Sequence, residues 1–324
     1  MGDRKVIAVV GATGNQGRGL VRAILADRGS SFRARALTRN PGSAAARALA
    51  AEGAEVVKAD LDDQDTLVKA FTGAHGAFVV TNFWENLTPQ QEAERNRLML
   101  EQQHAANAAE AAKRAGLKHV IWSTMEDTRQ TLTDDRCPTV MGKYKVPHLD
   151  GKAEANAFFT SRGVPTTFLL TTFYYEAFLR TSGLGPVRGE NGQLVLTLPV
   201  ADASLPAIAV SDIGRTSYGI FKAGGSLIGK TIGIAGEHLT GQEFSDHFTK
   251  AFGEKVIYHP LTFDQVRALP IPRAGEIAGM FQFYVEATKD YRAARDVKAA
   301  RALNPELQPF GSWLEEHKEE ILPA

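Results

Sequence analysis

The stretch VVGATGNQGRGL, residues 9–20, limits what this chain can fold into more than any other part. Gly11, Gly14 and Gly17 stand in a G-x-x-G-x-x-G pattern. The apolar run KVIAVV precedes them and the amphipathic run NQGRGLVRAILAD follows. A glycine-rich turn between a buried strand and a helix is the context that gives such a pattern meaning. Gly11 permits the tight turn, Gly14 lets the backbone approach a pyrophosphate, and Gly17 lets helix and strand pack closely. The amides at the helix start then face an anion. These features point to a dinucleotide-binding βαβ unit.

The next 150 residues continue in the same rhythm. Short apolar runs (FRARALT, AEVVKAD, HGAFVVTNF, KHVIWST, PTTFLLTT) alternate with longer amphipathic ones. Strands that alternate with helices imply right-handed crossovers and a parallel sheet. Apolar strands between helices suit a sheet covered on both faces. The pattern changes after Phe173. Turn signals in GPVRGENGQLVLTLP predict a hairpin, and VSDIGRTSYGIFKA restarts a helix with Ser211 or Asp212 as its cap. The expected fold is α/β: a Rossmann-type doubly wound parallel sheet with a smaller α+β C-terminal substrate or partner domain. Residues 1–172 form the expected Rossmann domain. Residues 173–324 form the smaller, interleaved one, part of which returns to the main sheet.

The end of the second strand bears on cofactor choice. NAD binders usually place a carboxylate there for the ribose 2′-OH. This chain reads TRNPGS, so Arg39 offers a planar fork for a 2′-phosphate with no carboxylate competing. Ser43 adds a hydroxyl at the next helix start. The expected cofactor is NADP(H). Asp60 and Leu61 fall where the chain passes an adenine, although the same aspartate run also reads as a helix cap. Thr81, Asn82 and Phe83 fall at the carboxyl edge of the sheet, where open α/β folds bind ligands. Phe83 and Trp84 read equally well as hydrophobic cover.

Composition narrows the remaining classes. Lysine plus arginine equals aspartate plus glutamate, 37 each, so no basic surface for nucleic acid is expected. No run approaches the length of a membrane span, so no membrane partner is expected. The single cysteine forbids an internal disulfide and suits a reducing cytosol. No secretory leader precedes the first strand, so the expected location is cytoplasmic. Scattered histidines without metal-ligand spacing predict no metal site. Cys137 reads as an exposed, unpaired thiol beside Arg136. The loop 125–146, poor in large apolar residues, reads as a lid ordered by NADP(H).

Together GATGNQG, TRNP, ADLDD, VTNFWE, HLDGKAEAN, GVPTTFL, FYYEAF and VSDIG resemble the NmrA-like family, an atypical branch of the short-chain dehydrogenases/reductases. The resemblance spans nearly the whole chain and is nearest to the HSCARG-type NADP(H)-binding redox sensors. It implies a phosphate loop at Gly11, Ala12, Thr13, Gly14, Asn15, Gln16 and Gly17, and a 2′-phosphate arginine at Arg39. It implies adenine contacts at Asp60 and Leu61. It implies nicotinamide-side contacts at Thr81, Asn82, Phe83, Lys152, Phe173, Tyr174, Tyr175 and Glu176. HSCARG-type chains can carry a lysine after the fourth strand, near where this chain has Glu94.

In the wider superfamily a serine, a tyrosine and a lysine four residues after the tyrosine move the proton that accompanies hydride transfer. Here Ser123 and Lys152 are present, but His148 stands in the tyrosine position. Residues four apart share a helical face. A neutral imidazole can position a ligand, and an imidazolium can donate a proton. Tyr144, two turns before Lys152, is a second candidate donor, but Pro147 argues for a helix that starts later. Two functions remain open: a redox sensor or regulator that acts on a protein partner, and an NADPH-dependent reductase of a small quinone, carbonyl or enone. A homodimer is compatible with both.

Overall fold

A computed structural model describes residues 4–322. Residues 1–3 and 323–324, at the ends of the two expected domains, lie outside the described residues. The strands are β1 (Lys5–Val9), β2 (Phe32–Thr38), β3 (Glu55–Lys58), β4 (Gly76–Val79), β5 (His119–Thr124), β6 (Thr166–Leu170), β7 (Phe173–Tyr174), β8 (Val187–Arg188), β9 (Leu194–Leu196), β10 (Leu205–Ile208), β11 (Thr231–Gly233), β12 (Glu237–Leu239) and β13 (Val256–Tyr258). The first seven helices are α1 (Asn15–Ala26), α2 (Ala44–Ala51), α3 (Gln64–Phe71), α4 (Pro89–Glu94), α5 (Arg97–Ala115), α6 (Pro147–Ser161) and α7 (Val210–Ala223).

Two compact units share the chain. The first comprises Met1–Asp127, His148–Thr171 and Ile213–Ile232; the second comprises Thr128–Pro147, Thr172–Asp212 and Gly233–Ala324. Among the described residues of the first, one seven-stranded sheet runs in the order β11-β6-β5-β4-β1-β2-β3. The five neighbouring pairs from β6 to β3 are all parallel. This is the doubly wound α/β fold that the sequence rhythm requires. Strand order reverses at β1 and β4, and such a reversal opens a crevice at the carboxyl ends of the strands.

The sheet is buried on both faces because its strands are continuous apolar runs. Ile7, Ala8, Val9, Phe78, Val79, Ile121 and Trp122 are inaccessible to solvent. The long helix α5 packs through a stripe of small residues, Ala105, Ala108, Ala109 and Ala112, which allows a close approach to the sheet. Asn96 caps it by accepting a hydrogen bond from the Met99 amide, and Gly116 ends it at φ +66°. α6 begins at Pro147, where a missing N–H costs nothing.

The second unit holds two three-stranded sheets, β12-β10-β7 and β13-β9-β8. The expected hairpin is the antiparallel β8–β9 pair. Its core is aromatic: the Phe178 ring lies 5.1 Å from Phe244, 5.2 Å from Phe248 and 5.5 Å from Phe310. Among the described residues, no helix is long and apolar enough to cross a membrane.

The segment 128–147 departs from the expected poorly packed lid. Leu132, Cys137, Tyr144, Lys145 and Val146 are buried. The carbonyl of Arg136 accepts from the Gln282 side chain at 2.8 Å, and the Arg136 guanidinium pairs with Glu286 at 2.9 Å. Lys145 donates to Asp134 and to the Cys137 carbonyl, both at 2.6 Å. A loop with few large side chains is still held when a helix, here Ala274–Glu286, supplies partners for its polar backbone. Cys137 is therefore not the exposed thiol that its polar neighbours suggest. It is 2 % exposed, and burial pushes its thiol up rather than activating it.

Candidate functional site

Loops after β1, β2, β3 and β4 bring most of the expected site residues to one edge of the first unit. The turn after β1 is closed by the Gly14 amide, which donates to the Gly11 carbonyl at 2.9 Å. Gly11 sits at φ +66°, which L side chains rarely adopt. A Cβ on Gly17 would lie 2.5 Å from the Gly11 oxygen, so only glycine lets α1 pass this close. No side chain caps α1 at Gly14. A tight glycine cradle leading into an uncapped helix start fits the pyrophosphate of a dinucleotide. Gln16 ties this loop to β5: its side-chain carbonyl accepts from the buried Ser123 hydroxyl at 2.9 Å.

At the end of β2 the expectation of an uncontested arginine fails. The Arg39 guanidinium, 65 % exposed, hydrogen-bonds the Glu85 carboxylate, which arrives from the loop after β4. Sequence spacing hides this competitor, because the partners are 46 residues apart and meet only through the fold. Ser43 caps α2 by accepting from the Ala46 amide at 3.2 Å. Of the aspartate run, Asp63 caps α3 and Asp60 accepts from the Asp62 amide at 3.1 Å. The Leu61 carbonyl accepts from the Asn107 side chain at 2.8 Å. The Asn82 side chain accepts from the Trp84 amide at 3.1 Å. Glu94 serves its own helix, accepting from Gln90 at 2.9 Å.

Lys152 stands on α6, and the fold gives it a partner that the sequence reading missed. Its ammonium donates to Glu101 at 2.9 Å, to the Thr81 hydroxyl at 2.7 Å and to the Thr81 carbonyl at 3.2 Å. Three contacts match the three donors of an ammonium. The Thr81 hydroxyl in turn donates to Glu101 at 2.8 Å. Glu101 is 1 % exposed, and its second oxygen is buried without a hydrogen-bond partner. Gly151 makes this meeting possible: a Cβ there would lie 2.3 Å from Leu98 on α5. A signal for Glu101 was present in the sequence. It lies four residues before Ala105 and so on the apolar stripe of α5, where a charge needs a partner.

His148, one turn before Lys152, is buried. Its ring lies 5.0 Å from Trp84 and 5.8 Å from Phe83. Phe83 is buried cover, whereas Trp84 is 46 % exposed beside it. The apolar contacts hold the imidazole at a fixed place near the carboxyl end of β4.

The remaining candidates belong to the second unit. Tyr144 is buried and forms a backbone bridge with Val140. Phe173 packs 5.5 Å from Phe178, and Tyr174 pairs with Ile208. The Tyr175 ring lies 5.1 Å from Phe310, and its buried hydroxyl has no hydrogen-bond partner. Burial, with Glu237 next, raises its pKa steeply. Both Glu176 oxygens accept from the Val210 amide at 3.0 Å, so Glu176 supports the start of α7 where Ser211 or Asp212 was expected to cap. Asp212 instead accepts from Asn304 at 2.9 Å and the Gln308 amide at 2.8 Å. Among the described residues no cluster of metal ligands occurs.

Strand order and glycine turn define a Rossmann-type α/β protein. The NmrA-like family matches residues 3–314, and the chain belongs to that family. It is 32 % identical over 260 residues to the NmrA-like family domain-containing oxidoreductase malD of Malbranchea aurantiaca, covering 79 % of this chain and 75 % of that one. Its fold is similar to NmrA, a negative transcriptional regulator, solved in complex with NAD (TM-score 0.75) and with NADP (TM-score 0.73). Both are 24 % identical and cover 98 % of this chain and 97 % of that one. It is also similar to the Citrobacter sp. triphenylmethane reductase complexed with NADP(H), at TM-score 0.72 and 20 % identity, covering 98 % of this chain and 100 % of the reductase.

Proposed function

We propose that this chain is an NADP(H)-binding redox sensor of the NmrA-like family. In this reading the loop Gly11–Gly17 holds the pyrophosphate and Arg39 meets the 2′-phosphate. Asp60 and Leu61 flank the adenine, and Thr81, Asn82 and Phe83 face the nicotinamide end. The family assignment and the complexes of NmrA with NAD and with NADP support the cofactor class. A single cysteine, which can form no internal disulfide, agrees with a cytosolic setting.

The engagement of Lys152 carries the choice of a sensor over an enzyme. In a tyrosine–lysine pair the ammonium must face the ribose and the proton donor. Here its three donors are spent on Glu101 and Thr81, and the residue one turn earlier is His148, packed against Trp84. Such a lysine supports the scaffold beneath a bound nucleotide more than it activates an acid. In the sensor reading, nucleotide occupancy controls binding of a protein partner.

A second reading keeps a specific support. The curated relative malD is named an oxidoreductase, and His148 offers an imidazole for a substrate oxygen, while the Ser123 hydroxyl already donates to Gln16. In that reading a nucleotide held by the glycine loop would supply hydride chemistry to a quinone, carbonyl or enone, and the role of His148 would be to give the substrate oxygen its proton, directly or through water. One experiment separates the two. NADPH binding is titrated by calorimetry, and NADPH oxidation is then followed against quinones, aldehydes and enones. Tight binding with no turnover across the panel supports the sensor. Turnover that falls on His148→Phe supports the reductase. Failure of wild-type protein to bind any nicotinamide dinucleotide overturns both.

A further inference from the structure

The contact between Arg39 and Glu85 does more than fill a surface. Arg39 is the group that distinguishes a phosphorylated from an unphosphorylated adenosine ribose, because it supplies a fixed fork of charge-assisted donors. In this chain that fork already holds a carboxylate. Glu85 is itself anchored: its backbone carbonyl accepts from Arg97, whose guanidinium also reaches the Phe83 carbonyl at 3.3 Å and Glu92 at 3.0 Å. The competitor is therefore delivered by a braced loop rather than by a free side chain. The carboxylates of Asp60 and Asp62 also act on the charge of Arg39. A 2′-phosphate, carrying about −1.5 to −2 charges near neutral pH, meets an arginine that already holds Glu85, while Asp62 is itself paired with Arg95 at 2.8 Å.

We infer that Glu85 is a specificity-determining residue that weakens recognition of the 2′-phosphate by occupying Arg39, and so holds the preference for NADP(H) over NAD(H) below what Arg39 alone would give. An unphosphorylated ribose leaves the pair intact. A phosphorylated one must displace Glu85 from Arg39. The displaced residue is one away from Trp84, so the two cofactors leave different constraints on the loop that packs against His148.

This inference rests on the dinucleotide reading, and its test separates the two. Calorimetric dissociation constants for NADP⁺ and NAD⁺ are measured at low salt for wild type, Glu85→Gln, Arg39→Ala and the double variant. Glutamine keeps the size and hydrogen bonding of Glu85 and removes its charge. Glu85→Gln is expected to raise the NADP⁺/NAD⁺ affinity ratio about two- to five-fold, the range carried by exposed ion pairs. The gain should shrink in 1 M salt, where screening acts within about 3 Å. It should vanish on the Arg39→Ala background, because the effect acts through Arg39. Acrylamide quenching adds a structural readout, since Trp122 and Trp313 are buried and Trp84 dominates accessible emission. NADP⁺ is expected to change quenching more than NAD⁺ in wild type. An unchanged or lowered affinity ratio in Glu85→Gln overturns the inference while dinucleotide binding stands. Absence of binding by wild type overturns the dinucleotide reading itself.

Discussion

Replacing Lys152 by methionine tests how α5 and α6 are held together in the first unit. Methionine keeps most of the length and volume of lysine and removes the charge. At 2.9 Å and an effective dielectric near 20, the attraction between Lys152 and Glu101 is about 6 kcal/mol. Desolvation of each ion costs several kcal/mol, so the net contribution of the intact pair is small. Removal of one partner is different, because Glu101 then keeps a buried charge with only the Thr81 hydroxyl to solvate it. Its second oxygen is already without a hydrogen-bond partner. Lys152→Met should therefore cost about 3–5 kcal/mol, and Glu101→Met about the same. The double variant Lys152→Met/Glu101→Met should lie within about 1 kcal/mol of wild type, since an apolar pair of similar volume often replaces a buried ion pair without loss. Urea unfolding followed by tryptophan emission is suited to the measurement, because Trp122 lies 5.2 Å from the ammonium. Additive losses in the double variant, or a loss under about 1 kcal/mol in Lys152→Met, would refute a charge-coupled pair at this place.

Three further outcomes follow from the geometry. Gly17→Ala places a Cβ 2.5 Å from the Gly11 oxygen; it should cost about 1–3 kcal/mol in strain and weaken NADP⁺ binding at least about tenfold in calorimetry, and normal affinity would refute the cradle. His119 is driven down to about 4, first by burial and then by His75. A folded value below the unfolded one, about 6.5, favours the neutral ring, so its stabilisation is complete above pH 6.5 and drains as pH falls towards 4. After allowance for solvent screening the loss is about 2 kcal/mol; urea curves for His119→Gln should be flatter over that window, and parallel curves would refute the cause. Cys137 should react with a disulfide reagent at pH 8 at least about a hundredfold more slowly in native than in urea-unfolded protein. Arg136→Ala should not slow it further, because Arg136 pairs with Glu286; rapid native labelling would count against its burial.

Much of the first unit was legible because its signals are local. The glycine turn, the alternation of apolar and amphipathic runs and the proline at the start of α6 each depend on neighbours within a few residues. They predicted the parallel arrangement of the strands around β1. The second unit was less legible. Its strands of two to four residues carry little periodic signal, and its core depends on Phe178, Phe244, Phe248 and Phe310 meeting across more than 130 residues of sequence. The apparent lid 125–146 looked loose for the same reason, since the partners of Arg136 and Lys145 lie on a distant helix or across a turn.

By itself the sequence determined a Rossmann-type chain, its glycine cradle and the absence of a tyrosine four residues before Lys152. Periodicity and backbone sterics act over short range and are written in order along the chain. Only the tertiary structure decided what the charges do. Arg39 meets Glu85, and Lys152 meets Glu101 and Thr81, because β4 lies beside β1 and α6 presses on α5 at Gly151. Coulomb and hydrogen-bond energies depend on distance in space, and for these pairs space and sequence part company.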